Sequence, residues 1–144
     1  MRSQIIETVT FEIKLGKPVA LSDIKNYKCE LLIHGVYFLH EGNLEITTFN
    51  PCAGTIVYIG KAIGETVYSR CRKHYDALRG NKNMRPGRKF REYRDSIVGL
   101  PLNLWIIPGI MSTNEPYLVS CAEEYLLHKY AQYHGGELPR ANTK

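Results

Sequence analysis

Two tyrosines, an arginine four residues before a histidine, and one glutamate late in the chain are the side chains whose types and spacing point to chemistry. Tyr37 lies in the run LIHGVYFL (32–39) and Tyr58 in VYIGKA (57–62), beside Gly35 and Gly60, with Lys61 next. Such a set suits cleavage of a phosphodiester. That reaction needs a positioned water, stabilisation of charge on the phosphoryl oxygens, and help for the leaving oxygen. Arg70 can grip a phosphate with a fork that lysine cannot copy. Glu123 is the one acid placed to hold a divalent metal, and Mg²⁺ needs few protein carboxylates because it keeps most of its waters. His74 is a candidate proton acceptor. The plainer alternatives are sheet tyrosines with satisfied hydroxyls and, for Glu123, an ion-paired carboxylate at the edge of a helix face.

A small set of elements must position these groups. Residues 6–15 alternate Val9, Phe11 and Ile13 with Thr8, Thr10, Glu12 and Lys14, which predicts a half-buried strand broken at Gly16-Lys17-Pro18. Ser22-Asp23 predicts the cap of one or two helical turns through Tyr27. Residues 31–40 predict the first core strand, 44–49 an extension of the sheet, and 55–60 a second core strand antiparallel to the first. That pairing would bring Tyr37 and Tyr58 together. A helix over 65–78 carries an apolar stripe of Val67, Cys71, Tyr75 and Leu78, with Arg70 and His74 on its flank and Arg72, Asp76 and Arg79 facing away. Gly80 ends it. Residues 81–89 read as a basic loop, and a further helix buries Phe90, Tyr93 and Ile97. Residues 102–107, with Trp105, predict a buried strand closed by Pro108-Gly109. The last helix starts at Asn114-Glu115-Pro116, with Leu118, Ala122, Tyr125, Leu126 and Tyr133 as its apolar face. Glu123 falls at the edge of that face, and Glu124 is expected in solvent. Gly135-Gly136 stops the helix. The fold class is α+β: a small, mainly antiparallel sheet of about three core strands plus an N-terminal strand, flanked by helices.

A chain of 144 residues is expected to form a single domain over 1–144, with an extension over 1–30 and a core over 31–144. No apolar run approaches the roughly 20 residues of a membrane span, and the N-terminus lacks a signal-peptide core. A cytoplasmic protein with no membrane partner is expected. Cys29, Cys52, Cys71 and Cys121 form no CxxC pair, which predicts reduced, mostly buried thiols. Cys121, His128 and His134 lack the second cysteine of a zinc finger. The net charge of +5 is concentrated in one stretch. Arg70, Arg72, Lys73, Arg79, Lys82, Arg85, Arg88, Lys89, Arg91 and Arg94 crowd there, opposed by Glu65, Asp76, Glu92 and Asp95. Such a field favours a polyanion, most commonly nucleic acid; a solvated basic face is the bland alternative.

Gly35-Val36-Tyr37, Tyr58-Ile59-Gly60-Lys61, Arg70-x-x-x-His74, Glu123 and a Pro139-Arg140-Ala141-Asn142 tail follow one another in order. Together they resemble the pattern of the GIY-YIG nuclease superfamily over about residues 31–142. The Arg-x-x-x-His helix is similar to those of phage homing endonucleases and the family's type II restriction enzymes. The Glu-led helix with its Pro-Arg-x-Asn tail is similar to the incision domain of bacterial excision-repair nucleases. Val36 stands where isoleucine is commoner. The connections 38–55 and 61–70 are longer than in compact members, which keeps Arg72 beside Arg70 as the family's arginine; the helical wheel and the spacing to His74 favour Arg70.

The resemblance implies a divalent-metal-dependent endonuclease, most like a stand-alone, sequence-specific type II restriction enzyme. It assigns catalysis to Tyr37, Tyr58, Lys61, Arg70, His74, Glu123 and Asn142, with one Mg²⁺ or Mn²⁺ per active site on Glu123. Tyr37 would be the general base, its pKa lowered from near 10 by Lys61, His74 or the metal; in the other arrangement His74 takes the proton and Tyr37 relays it. Tyr58 would orient water or phosphate, and Asn142 would buttress the site or contact phosphate. Arg72, Lys73, Arg79, Lys82, Arg85, Arg88, Lys89 and Arg91 would contact double-stranded DNA, with bases read by segment 81–94. Cutting both strands implies a homodimer. The alternatives are a repair-type or nicking nuclease and a non-catalytic nucleic-acid-binding protein on the same fold. The first thirty residues have three open roles: covering a sheet edge, contacting DNA, or joining two copies.

Overall fold

The computed structural model describes residues 3–42, 49–80, 85–113 and 115–143. Residues 44–48 of the expected sheet extension, and Lys82, lie outside these described residues. Among the described residues, five strands form one antiparallel sheet, in an α+β fold. The strands are β1 (Ile13–Leu15), β2 (Val19–Ala20), β3 (Gly35–Glu41), β4 (Ile56–Ala62) and β5 (Leu104–Met111). They lie in the order β1-β5-β3-β4, with β2 also paired to β5. Helices α1 (Val67–Leu78) and α2 (Arg88–Ser96) cover one face, and α3 (Pro116–Tyr133) covers the other. No helix among the described residues is long and apolar enough to cross a membrane.

The central strand explains the long apolar run around Tyr37. Lying between β4 and β5, β3 is covered on both faces, so its side chains are apolar on both. Tyr37 and Leu39 pack with Val67, Cys71 and Phe90, while Val36 and Phe38 pack with Val119, Ala122 and Tyr130. Tyr37 pairs with Gly60, and Leu39 with Tyr58. The two tyrosines are therefore diagonal neighbours on one face, as the antiparallel expectation requires. A register shift follows, where His40 pairs with Ile56 and Val57 is the extra residue.

Several expectations are corrected. Only residues 13–15 of the expected N-terminal strand over 6–15 pair, because Ile13 already meets Met111, the last residue of β5. Beyond it no partner strand remains, and Ile5 and Ile6 are 84% and 97% exposed. β5 does not close at Pro108-Gly109 but runs on to Met111. Pro108 offers its carbonyl to Gly16 N–H at 2.9 Å, so its missing N–H faces the gap at Gly16-Lys17-Pro18 between β1 and β2. The turns after β2 are 3-10 over Leu21–Tyr27; Ala20 is the cap residue, and Asp23 instead accepts from Asn26 at 2.6 Å.

The helices keep their positions, and α2 buries Phe90 and Tyr93 as expected, but α1 and α3 are rotated. In α1 the buried row is Val67, Cys71, His74 and Ala77, so His74 is in the stripe rather than on its flank. α2 begins at Arg88, which makes Arg88 and Lys89 helical instead of loop residues. On α3 the buried residues are Val119, Ala122, Glu123, Leu126, Leu127 and Tyr130, while Tyr125 and Tyr133 of the expected face are exposed. Tyrosine tolerates either side, having an apolar body and a wet tip. The four cysteines are free, but only Cys71 is buried; Cys29 and Cys121 are exposed.

Candidate active site

The site is built around the edge strand β4. Tyr58 and Gly60 look toward α1, while Lys61, one residue on, looks toward α3 as the pleat requires. Gly60 has a steric task. A Cβ there would stand 2.6 Å from both Cζ and the hydroxyl oxygen of Tyr37, so the Tyr37 ring lies across the bare backbone of β4. Gly35 has a φ of +144° and lies 2.6 Å, at its would-be Cβ, from the Gly109 carbonyl oxygen, so glycine alone fits that turn into β3.

Tyr37 is fully buried, and its hydroxyl lies 2.6 Å from Nε2 of His74. Tyr58, half-buried, lies diagonally beside it with ring centroids 6.1 Å apart. Its ring meets the His74 ring edge-on at 4.7 Å. The Arg70 guanidinium lies against both tyrosine hydroxyls, and its Nε is buried without a partner among the described residues. Phe90 of α2 closes the group: it stacks on His74 at 5.0 Å and 24° and meets Tyr58 edge-on at 5.9 Å.

The electrostatics reverse one expectation. Burial, then Cys71 and Tyr58, push the Tyr37 hydroxyl well above its usual value, and Arg70 does not offset them. Tyr58 is raised as well, burial again being the main cause. Burial, with Arg70 and Lys73, holds His74 down to about 3, so its ring is neutral near pH 7. The chain's own groups therefore do not lower the Tyr37 hydroxyl on balance. Lys61, one of the expected cations, looks to the other sheet face, and His74 is uncharged. Burial opposes the charge of Arg70, but the two tyrosines and Glu65 outweigh it and keep the guanidinium ionised.

On the other side of β4, Lys61 Nζ donates to Ser120 Oγ at 3.2 Å and lies 3.7 Å from Glu123 Oε1. Glu123, 7% exposed, is inside the buried face of α3. Lys61, Glu65, Arg70 and Glu123 line one cleft of about 280 Å³. Glu65 Oε1 accepts from Ser69 Oγ at 2.9 Å and from Lys73 Nζ at 3.1 Å. Among the described residues, no group of three or more His, Cys, Asp or Glu side chains is assembled for a metal. That rules against an all-protein cage there; a hydrated Mg²⁺ or Mn²⁺ needs only one or two carboxylates, which Glu123 and Glu65 can offer.

Asn142 stands behind the site rather than in it. Its Oδ1 accepts from Ile59 N–H and its Nδ2 donates to Ile59 carbonyl, both at 2.9 Å, while Ala141 N–H donates to Val57 carbonyl at 2.8 Å. The tail thus covers the outer edge of β4 as one more strand would. Arg140 anchors it through Glu41 at 3.7 Å and Ser96 Oγ at 3.3 Å.

The basic residues scatter. Lys73 and Arg85 line a pocket next to Arg70, Tyr58 and His74. Arg72 and Arg79 lie over the Tyr75 ring, Arg88 and Lys89 pair with Glu92, and Arg91 donates to the Pro86 carbonyl at 3.4 Å. Of the two candidate arginines, only Arg70 reaches the tyrosines. Phe90, Ser120 and Glu65 were not foreseen as site residues. Phe90 and Ser120 carry no local signal, whereas Glu65-x-x-x-Ser69-x-x-x-Lys73 is a readable row at helical spacing. Comparison with protein-family models, with curated proteins and with solved structures gives no match to this chain.

Proposed function

We propose that this chain is a divalent-metal-dependent DNA endonuclease working in the manner of the GIY-YIG nucleases it resembles. The observation that carries the reading is Arg70. Its side chain lies against both tyrosine hydroxyls and also lines the cleft holding Glu123. Arg70 thus borders both Tyr37 and the cleft of Glu123, residues 86 positions apart in sequence.

In this reading Arg70 binds the scissile phosphate and offsets charge on its oxygens. Tyr58, the less buried of the two tyrosines, positions the attacking water. A proton leaves that water along Tyr58 and Tyr37 to Nε2 of neutral His74, which the 2.6 Å contact permits. Burial favours the resting chain with every hydroxyl protonated, so the relay moves only as the phosphate draws the water in. Glu123 would hold the ion, which would polarise a phosphoryl oxygen and steady the leaving oxygen. Lys61, at 3.7 Å, neutralises Glu123 until then. Within this class a sequence-specific restriction enzyme acting as a homodimer on double-stranded DNA is the first choice, and a repair-type or nicking enzyme the second.

That same Lys61–Glu123 contact favours a second reading, a nucleic-acid-binding protein that needs no ion. Incubation with long unmethylated DNA, with Mg²⁺ and then with chelator, separates the two. Discrete Mg²⁺-dependent bands support a sequence-specific nuclease, and slow nicking supports the repair-type alternative. Glu123→Ala is expected to abolish cleavage while leaving DNA affinity within about twofold. Binding without cleavage by the unaltered protein on several DNAs overturns the nuclease reading.

A further inference from the structure

Arg70 is a wall shared by two clefts. One holds Glu65, Glu123 and Lys61 and suits the ion and the scissile phosphate. The other, also about 280 Å³, is lined by Tyr58, Arg70, Lys73, Arg85, Gly87 and Thr143 among others, and no carboxylate lines it among the described residues. Its chemistry is that of an anion site. Two arginines and a lysine converge there, with the Lys73 ammonium fixed at 3.1 Å from Glu65 at the border with the first cleft. Gly87 is the cap residue of α2, and no side chain among the described residues caps that end, where the first-turn amides favour an anion. Thr143 also lines the pocket, its Oγ1 2.7 Å from where a Gly87 Cβ would be.

We infer that this pocket is a second phosphate subsite, holding the phosphate next to the scissile one on the same strand. The inference rests on the nuclease reading for the identity of the strand, not for the affinity of the pocket for phosphate. One phosphate on each side of Arg70 fixes the strand across the tyrosines, so the fork cannot grip a neighbouring phosphate by mistake. The same chemistry could also be met by a terminal phosphate on a cleaved end.

The first test needs no cleavage. Glu123→Ala protein in chelator is titrated with inorganic phosphate, and the amide resonances of Arg88, Phe90 and Thr143 are followed. Saturable shifts are expected, and Arg85→Ala in the same background should weaken them at least tenfold with an unchanged thermal midpoint. Shifts that never saturate, or that persist in a folded Arg85→Ala variant, overturn the subsite. The second test uses an intact substrate duplex in which the phosphate next to the scissile one is replaced by a neutral methylphosphonate. It should raise KM about tenfold for the unaltered protein and little for Arg85→Ala; an equal effect on both overturns the assignment to the neighbouring phosphate. If instead only fragments ending in a 5′-phosphate compete with inorganic phosphate, the pocket serves the product end, and the assignment to the substrate strand fails. Saturable phosphate binding in a protein that cuts no DNA would leave the subsite standing and remove the nuclease reading.

Discussion

His74 shows how burial turns an ordinary side chain into a working one. Its ring is packed between Tyr58, Tyr37 and Phe90, with Arg70 and Lys73 as the nearby cations. The folded pKa of about 3 lies below the ordinary 6.5, so the unfolded chain takes up this proton first as pH falls. Stability from His74 is complete above about 6.5 and declines by about 1.4 kcal/mol per pH unit down toward 3. Urea unfolding at pH 7 and pH 5 should show this slope, and His74→Gln should lack its share. Gly60 sets the other limit. Gly60→Ala puts a methyl 2.6 Å from the Tyr37 hydroxyl, an overpacking worth about 1–3 kcal/mol. Urea midpoints measure that cost, and cleavage should fall further than the lost stability explains, since the Tyr37–His74 contact must shift. The two helix arginines also divide here. Arg70→Ala should remove cleavage, whereas Arg72→Ala, lying over Tyr75, should change kcat by less than about threefold.

At the scale of elements, β4 is an edge strand made safe by the tail. Asn142→Ala would leave the buried N–H and carbonyl of Ile59 unpaired, at about 1–3 kcal/mol for each group. Ile59 lies between Tyr58 and Gly60, so loosening it frees the tyrosine proposed to position the water. Faster hydrogen exchange at the Ile59 amide is the expected sign, with kcat falling and DNA affinity retained. α2 contributes through Phe90, which couples the basic end of that helix to the His74 ring. Phe90→Leu, keeping volume without the stack, should lower kcat more than DNA affinity; equal losses would reduce Phe90 to a core residue.

For the whole molecule, the charge tells less than its distribution. Arg88 and Lys89 share Glu92, and Lys73 shares Glu65, so part of the basic stretch is already answered within the chain. Arg85 lines the pocket beside the site and has no ion-pair partner among the described residues. The slope of log affinity against log salt for DNA should fall by about one on Arg85→Ala, as loss of one phosphate contact predicts.

Much of this arrangement is legible from the residues alone. The apolar runs around Tyr37 and Tyr58, the breaks at Gly16-Lys17-Pro18 and Gly80, and the helical spacing of Val67 and Cys71 pointed to the α+β class, the antiparallel pair and the helix beside it. These are local signals: a pleat of period two, a helix of 3.6, and turn residues that end each. α3 could not be oriented that way, because Leu118, Tyr125 and Tyr133 offer one apolar face and Val119, Leu126 and Tyr130 another. Only contact with the sheet chose the second, and so carried Glu123 from the edge of a face into its buried side. The same holds for protons. The resemblance implied a Tyr37 hydroxyl made acidic by cations such as Lys61, but the pleat sends Lys61 to the opposite side and the helices seal Tyr37 from water. Residue order determined which groups this protein has and which strands carry them. Tertiary packing decided which are dry, which are charged, and which touch, because desolvation and charge proximity depend on neighbours distant along the chain.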